Sequence, residues 1–153
     1  YIHKYDMLRN LALEMMHTAL KLEPANSTRY TPGNGNQKIA MLFLELLERQ
    51  FPIEGAHNKI KLKTPSDFAN QLAVHVNHLN RAVKETTVKT TSQLIADRIS
   101  QEAKLILSHG EWSIAEMADA LGFNEISYFN LFFKKHVGVS PVKYRKNISH
   151  EKH

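Results

Sequence analysis

Between His75 and Glu85 the sequence HVNHLNRAVKE places apolar and hydrogen-bonding side chains on opposite sides of a helix. Val76, Leu79 and Val83 share one face, while Asn77, His78, Asn80, Arg81 and Lys84 share the other. A guanidinium can donate twice to a guanine edge, and a carboxamide can pair bidentately with adenine. Asn77, Asn80 and Arg81 are therefore candidate base readers, and His78 and Lys84 candidate phosphate contacts. Taken singly, each is equally well a polar residue on a solvated helix face. A second group of cations, Lys134 and Lys135 and then Lys143, Arg145 and Lys146, is also suited to phosphate.

Other chemistries find little to work with. Nine histidines include two pairs at a spacing of three, His75 with His78 and His150 with His153. No cysteine exists, and no His-Glu-x-x-His or Glu-x-x-His pattern accompanies the imidazoles. Glycine-rich phosphate loops and the G-x-S-x-G elbow are missing. The expectation is a chain that is not an enzyme and carries no metal or cofactor.

The elements that must position these side chains are helical. Thr64 can cap a first helix with Pro65 at its first position, where proline is tolerated, and Phe68, Ala69 and Leu72 then point inward. A turn near Ala73 and Val74 leads to the helix from His75 to Glu85. Thr91 to Leu107 is a longer helix, capped by Thr91 or Ser92 and closed near Gly110. Its apolar face is Leu94, Ile95, Ile99, Ala103, Ile106 and Leu107. Such a rod, on the order of 25 Å at ~1.5 Å per residue, can hold two reading helices apart. Successive major grooves on one face of B-DNA lie ~34 Å apart.

From Trp112 to Arg145 the pattern repeats in kind, without repeating by residue identity. Ser113 with Glu116 forms a capping box, and Ile114, Met117, Ala118 and Leu121 recur at helical spacing. Gly122 ends that helix, and Asn124 can cap the next. Phe129 and Phe133 lie four apart on one face of it, and Gly138 closes it. Ser140 with Pro141 opens a last helix in which Tyr144 can pack, and the tail from Asn147 is polar. Two short helices joined by a tight turn make a helix-turn-helix, whose second member can enter a major groove.

The run Ile114, Glu116, Ala118, Leu121-Gly122-Phe123, Ser127-Tyr128-Phe129, Phe133-Lys134-Lys135, Gly138, Ser140-Pro141 and Tyr144-Arg145 resembles the second helix-turn-helix of the AraC/XylS family of bacterial transcription regulators. More weakly, the resemblance extends from about Thr64 to Arg145. It implies a seven-helix DNA-binding domain, with two helix-turn-helix units of homeodomain-like type joined by one long helix. The family places base contacts at positions matching Asn77, Asn80 and Arg81 in the first unit. In the second unit the matching positions are Ile126, Ser127, Asn130 and Leu131. Leu131 departs from the family, which often has Arg there, and offers only apolar contact, such as to a thymine methyl. The first unit is thus expected to carry most discrimination, and the second to clamp phosphate through Lys134 and Lys135. His75, Val83 and the stretch Thr86 to Val88 also depart from the pattern, at the usual Ser, Phe and Gly. Arg98 matches a family Arg, and a surface Arg with a buried stem is an equal reading.

Ahead of this region, Asp6 to Leu22 and Lys38 to Gln50 read as amphipathic helices. A Pro, Gly, Asn and Ser-rich connection from Pro24 to Asn36 separates them, and Pro52 follows the second. This pair can pack on the rest of the chain or form a homodimer through residues 6–51; both stand open. Gly55 to Lys63 reads as a basic, solvated linker anchored by Ile60 and Leu62. The expected division is residues 1–55, a helical linker and dimerisation segment, and residues 56–153, the DNA-binding domain.

Charge agrees with that division. Residues 1–55 carry six basic and six acidic groups, so the whole net charge of +5 lies downstream. A basic domain attracts phosphate irrespective of sequence. The hydrophobic content of 42% supports a folded core, and no apolar run approaches the ~20 residues of a membrane span. No secretory signal is recognisable. The lack of cysteine fits a cytoplasmic location. The first residue, Tyr1, suggests a piece of a longer protein. These features together specify an all-α, sequence-specific regulator that binds double-stranded DNA, with RNA polymerase as the partner the resemblance implies. The rival reading is a helical interaction module that has lost specific DNA reading.

Overall fold

The computed structural model describes residues 32–55 and 58–151, together with Ala12 and Met15. The expected helix from Asp6 to Leu22 lies otherwise outside the described residues. Pro32–His153 forms one compact unit and Tyr1–Thr31 another. Within the first of these the described residues hold seven helices and no strand. They are α1 (Pro32–Arg49), α2 (Pro65–Gln71), α3 (Val76–Thr87), α4 (Thr91–His109), α5 (Ile114–Ala120), α6 (Ile126–Val137) and α7 (Pro141–Glu151).

One buried cluster runs through these helices. Phe43 of α1 meets Phe68 of α2 edge-on, with ring centroids 5.0 Å apart. Leu79 and Val83 of α3, then Ile95, Ile99 and Ala103 of α4, continue the cluster. It passes to Met117 and Ala118 of α5 and to Phe129 and Phe133 of α6. Phe133 ends the series against Tyr144 of α7, with centroids 5.6 Å apart. The long helix α4 packs on α3, α6 and α7.

Local chemistry sets most helix ends. Thr64 and Asp67 form a reciprocal capping box ahead of α2. Ser113 accepts from the Glu116 backbone ahead of α5, and Ser140 accepts from the Lys143 backbone in α7. Gly138 closes α6 in the left-handed conformation, φ 97°.

The structure moves three boundaries. The cap of α4 is Thr90, in a capping box with Gln93, so the T-x-x-Q signal begins one residue before Thr91. At α6 the N-cap is Glu125, not Asn124, and its side chain makes no cap bond. The helix containing Lys38 begins at Pro32, inside the stretch expected to be a flexible connection. Tertiary contact accounts for that extension: Asn36 Nδ2 donates to Glu85 Oε2 at 2.7 Å, which ties the first turns of α1 to the end of α3.

Candidate nucleic-acid interface

The surface of α3 is divided sharply. Leu79, Ala82 and Val83 are fully buried, while Asn77, His78, Asn80, Arg81 and Lys84 are all exposed. Arg81 is flanked one turn earlier by Asn77 and His78 and one turn later by Lys84, the i±3 and i±4 neighbours that line a single helical ridge. His75 stands at the N-cap, where its Nδ1 accepts from the Asn77 backbone at 3.1 Å. That contact gives one imidazole nitrogen the structural task of capping α3. Among the described residues no three His, Cys, Asp or Glu gather as a metal site.

The second unit repeats this geometry in register. Both α3 and α6 have 12 residues and end in a left-handed residue, Val88 in one and Gly138 in the other. Leu79 and Phe129 are the fourth residues of their helices, and Val83 and Phe133 the eighth; all four are buried. The tight turns correspond as well, with Ala73 at φ 55° and Gly122 at φ 84°. The repeat is one of pattern and not of residue identity, as the sequence indicated. The shared positions are those of backbone conformation and burial, and different residues satisfy both.

On α6 the outward ridge consists of Ser127, Tyr128, Leu131, Lys134 and Lys135, all exposed. Ile126 is 45% exposed, at the edge of the first turn. Asn130 is half-buried, with its Oδ1 buried and without a hydrogen-bond partner. In this rotamer the acceptor half of a bidentate adenine contact faces inward. Lys143 is exposed on α7.

Two expected phosphate contacts are engaged elsewhere. Arg145 does not point outward. It is half-buried, and its Nη2 donates to the Trp112 carbonyl at 2.6 Å and lies 3.6 Å from the Met117 sulfur. Its guanidinium joins α7 to the segment before α5, so its role is positional. The Nε2 of His78 lies 3.3 Å from Asn36 Oδ1, although the ring remains exposed.

Two connections that sequence reasoning missed hold the frame. The segment from Lys59 to Lys63 is the anchored, largely solvated loop expected, but its partners across the fold were not foreseen. Ile60 is buried, and its N–H donates to the Ala120 carbonyl at 3.0 Å. Lys59 pairs with Asp119, and Lys63 Nζ donates to the Gly122 carbonyl. Gln50 bonds to the backbone of Lys61 and Leu62. This segment therefore connects the end of α1 to the turn of the second unit, parallel to the connection α4 provides.

The other device is built around Arg98, which lies within α4 and is 13% exposed. Its Nε donates to Glu48 at 2.9 Å, its Nη1 to Glu102 at 3.2 Å, and its guanidinium carbon lies 4.1 Å from the Phe51 ring centroid. Glu102 is 3% exposed and also accepts from the Ile53 N–H at 2.9 Å. The surface reading of Arg98 is thereby corrected: it fastens α1 and the following loop to the rod. The charges at Glu48, Arg98 and Glu102 are the signal from which this could have been suspected.

A family model described as a helix-turn-helix domain matches residues 68–147, more than half of the chain. The chain belongs to the AraC-type helix-turn-helix family. It is 27% identical over 121 residues to an uncharacterized HTH-type transcriptional regulator, YisR, of Bacillus subtilis strain 168, covering 71% of this chain and 42% of that protein. It is 26% identical over 149 residues to the melibiose operon regulatory protein of Escherichia coli strain K12, covering 92% of this chain and 48% of that protein. The chain thus spans less than half the length of either relative. Among solved structures, the DNA-binding domain of AdpA in complex with a target DNA matches with a TM-score of 0.60 at 18% identity, over 74% of this chain and 94% of that one. At that identity the likeness establishes the AraC-type fold, a pair of helix-turn-helix units around a long helix.

Proposed function

We propose that this AraC-type chain is a sequence-specific regulator of transcription that binds double-stranded DNA with α3 and α6 in adjacent major grooves. One observation carries the reading. The outward ridge of α3 is exposed over its whole length, although the opposite face of the same helix is fully buried. A helix so fixed presents donors at defined positions, as base reading requires.

In this reading Asn77, Asn80 and Arg81 contact base edges in the first half-site, and Ile126, Ser127, Asn130 and Leu131 face bases in the second. Lys84, Lys134, Lys135 and Lys143, with the free edge of His78, hold phosphate. The relatives' names as regulators support a role in transcription. Recruitment of RNA polymerase and a cytoplasmic site of action belong to the same proposal. Ala40, Phe43 and Leu47 of α1 are buried in the core of this chain, so that part of residues 6–51 packs within the chain and any association of two chains would use the segment ahead of α1. Among the described residues no helix is long and apolar enough to cross a membrane.

The test is selection of bound duplexes from a random pool, followed by anisotropy titrations at two salt concentrations. Two motifs about one helical turn apart are expected. No binding at low salt would overturn the proposal and leave a helical interaction module. Arg81→Ala should weaken binding to the selected site by about 5- to 150-fold, from the ~1–3 kcal/mol of one bidentate contact, and relax preference at a single base pair. An unchanged preference would remove Arg81 from the readers.

A further inference from the structure

Two helices can serve one duplex together only if the distance and the rotation between them are fixed. Packing gives α4 as the main link, since α3 packs on α1, α2 and α4, and α6 packs on α4, α5 and α7. Beside α4 lies an open cleft of about 330 Å³. It is lined by Thr64 and Pro65 of the first unit, Ile95 and Ile99 of α4, and Phe123 and Phe132 of the second unit. A helix as long as α4 bends by small amounts, and walls that face each other across an open cleft do not resist that bending. A second connection is needed to hold the two units at one angle.

Residues 59–63 supply it. Lys59 pairs with Asp119, the buried Ile60 donates its N–H to the Ala120 carbonyl at 3.0 Å, and Lys63 Nζ donates to the Gly122 carbonyl. These acceptors lie at the end of α5 and in the turn that leads to α6. Phe123, the next residue of that turn, packs on Phe129 and Phe132 of α6, with ring centroids 5.4 and 5.1 Å away. On its other side the segment is tied to the first unit. Gln50 Oε1 accepts from the N–H groups of Lys61 and Leu62 at 3.0 and 2.8 Å, and the Lys63 N–H donates to Asp67 of α2 at 3.0 Å. We infer that Lys59, Ile60 and Lys63 are positioning residues that fix the separation and rotation of α3 and α6, and so decide which spacing of half-sites the protein accepts. The inference rests on the DNA-binding reading and deepens it, since these residues act through the turn of the second unit and not by contact with a base.

The probe is the duplex that the full chain selects from a random pool, with one base pair inserted or removed between its two motifs. Each such change turns one half-site by about 34–36° relative to the other. For the unaltered chain it should weaken binding by about 30-fold, the middle of the range for one misplaced bidentate contact. Lys59→Met with Lys63→Met keeps the side-chain stems and removes both ammonium groups. Its spacing penalty should be about fivefold smaller, roughly what one exposed ion pair and one charge-assisted hydrogen bond can resist. Lys61→Met with Lys104→Met removes the same charge from exposed positions outside these contacts and should keep the full penalty. A second readout needs no DNA. The chain has no cysteine, so spin labels at Lys84→Cys and Lys135→Cys report the separation of α3 and α6 directly. The distribution of distances should broaden when Lys59→Met and Lys63→Met are added.

The inference is overturned if Lys59→Met with Lys63→Met keeps either the spacing penalty or the distance distribution of the unaltered chain. It is also overturned if the Lys61 and Lys104 control loses the penalty to the same extent. An unaltered chain that selects two motifs yet tolerates every spacing overturns it too, and leaves the DNA-binding reading in place. Absence of selective binding by the unaltered chain removes that reading and the spacing role with it, and the spin-label distances then decide by themselves whether residues 59–63 hold α3 and α6 in place.

Discussion

Val88 shows at a single residue how the two units diverge. It stands where Gly138 stands in the second unit, in the left-handed region at φ 70°, and is 78% exposed. A β-branched side chain in that conformation carries strain of roughly 1–2 kcal/mol, and glycine relieves it at an entropic cost of about 0.5–1 kcal/mol. Since Val88 contributes little packing, Val88→Gly should raise stability by about 0.5–1 kcal/mol. The midpoint of urea unfolding checks this, and a lowered midpoint would show that the valine side chain makes a stabilising contact. Gly122 is the opposite case. A Cβ there would meet the flexible end of the Lys63 side chain, which can shift, so it is the left-handed conformation at φ 84° that favours glycine. Sequence inspection finds Gly122 readily, because glycine is the residue that such a turn demands. It cannot find Val88 or Ala73, because nothing in a valine or an alanine announces a positive φ.

At the scale of elements, caps and fasteners behave differently. The carboxylate of Asp67 is held below the ordinary range, chiefly by the Lys63 backbone N–H, opposed by burial, and then by the Thr64 backbone and hydroxyl. A depressed folded-state value means that its stabilisation is present above the unfolded value and is lost as pH falls through the folded one. Asp67→Asn should therefore be less stable near neutrality and flatter in its loss of stability from about pH 5 downward. Parallel acid profiles for the two proteins would exclude the cap as a contributor. The Arg98 cluster is a fastener. Glu102→Ala leaves the Ile53 N–H without its acceptor and Arg98 with one carboxylate, so a loss of about 3–5 kcal/mol is expected. A loss below about 1 kcal/mol in denaturant unfolding would mean that water replaces both contacts. The Asp67 box is legible from T-x-x-D spacing three residues apart. The Arg98 cluster was not, since Glu48 and Arg98 are 50 residues apart and meet only when α1 lies on the fold.

For the whole molecule the telling quantity is the response of binding to salt. Each phosphate neutralised contributes about 0.9 to the slope of log affinity against log salt. Lys134→Gln with Lys135→Gln should lower that slope by about 2 and weaken all duplexes alike. Arg81→Ala should mainly alter which duplex is preferred. A double variant with an unchanged slope would take both lysines off the phosphate path. The net charge of +5 supports attraction to DNA but does not say where contact occurs. Four basic groups in the downstream half, Lys59, Lys63, Arg98 and Arg145, are used inside the protein to join elements.

The sequence by itself determined the helical class, the two helix-turn-helix units, most of their ends and the polar ridge of α3. These are settled by groups within three or four residues of one another: a hydroxyl and the N–H it caps, a glycine in a turn, a 3.6-residue apolar period. Only the tertiary structure decided that α1 begins at Pro32, that residues 58–63 join the two units and that Arg145 turns inward. Those outcomes depend on partners such as Asn36 with Glu85, 49 residues apart, and Lys59 with Asp119, 60 apart. A side chain's direction is decided by which surface the fold brings against it, and local spacing holds no information about that surface.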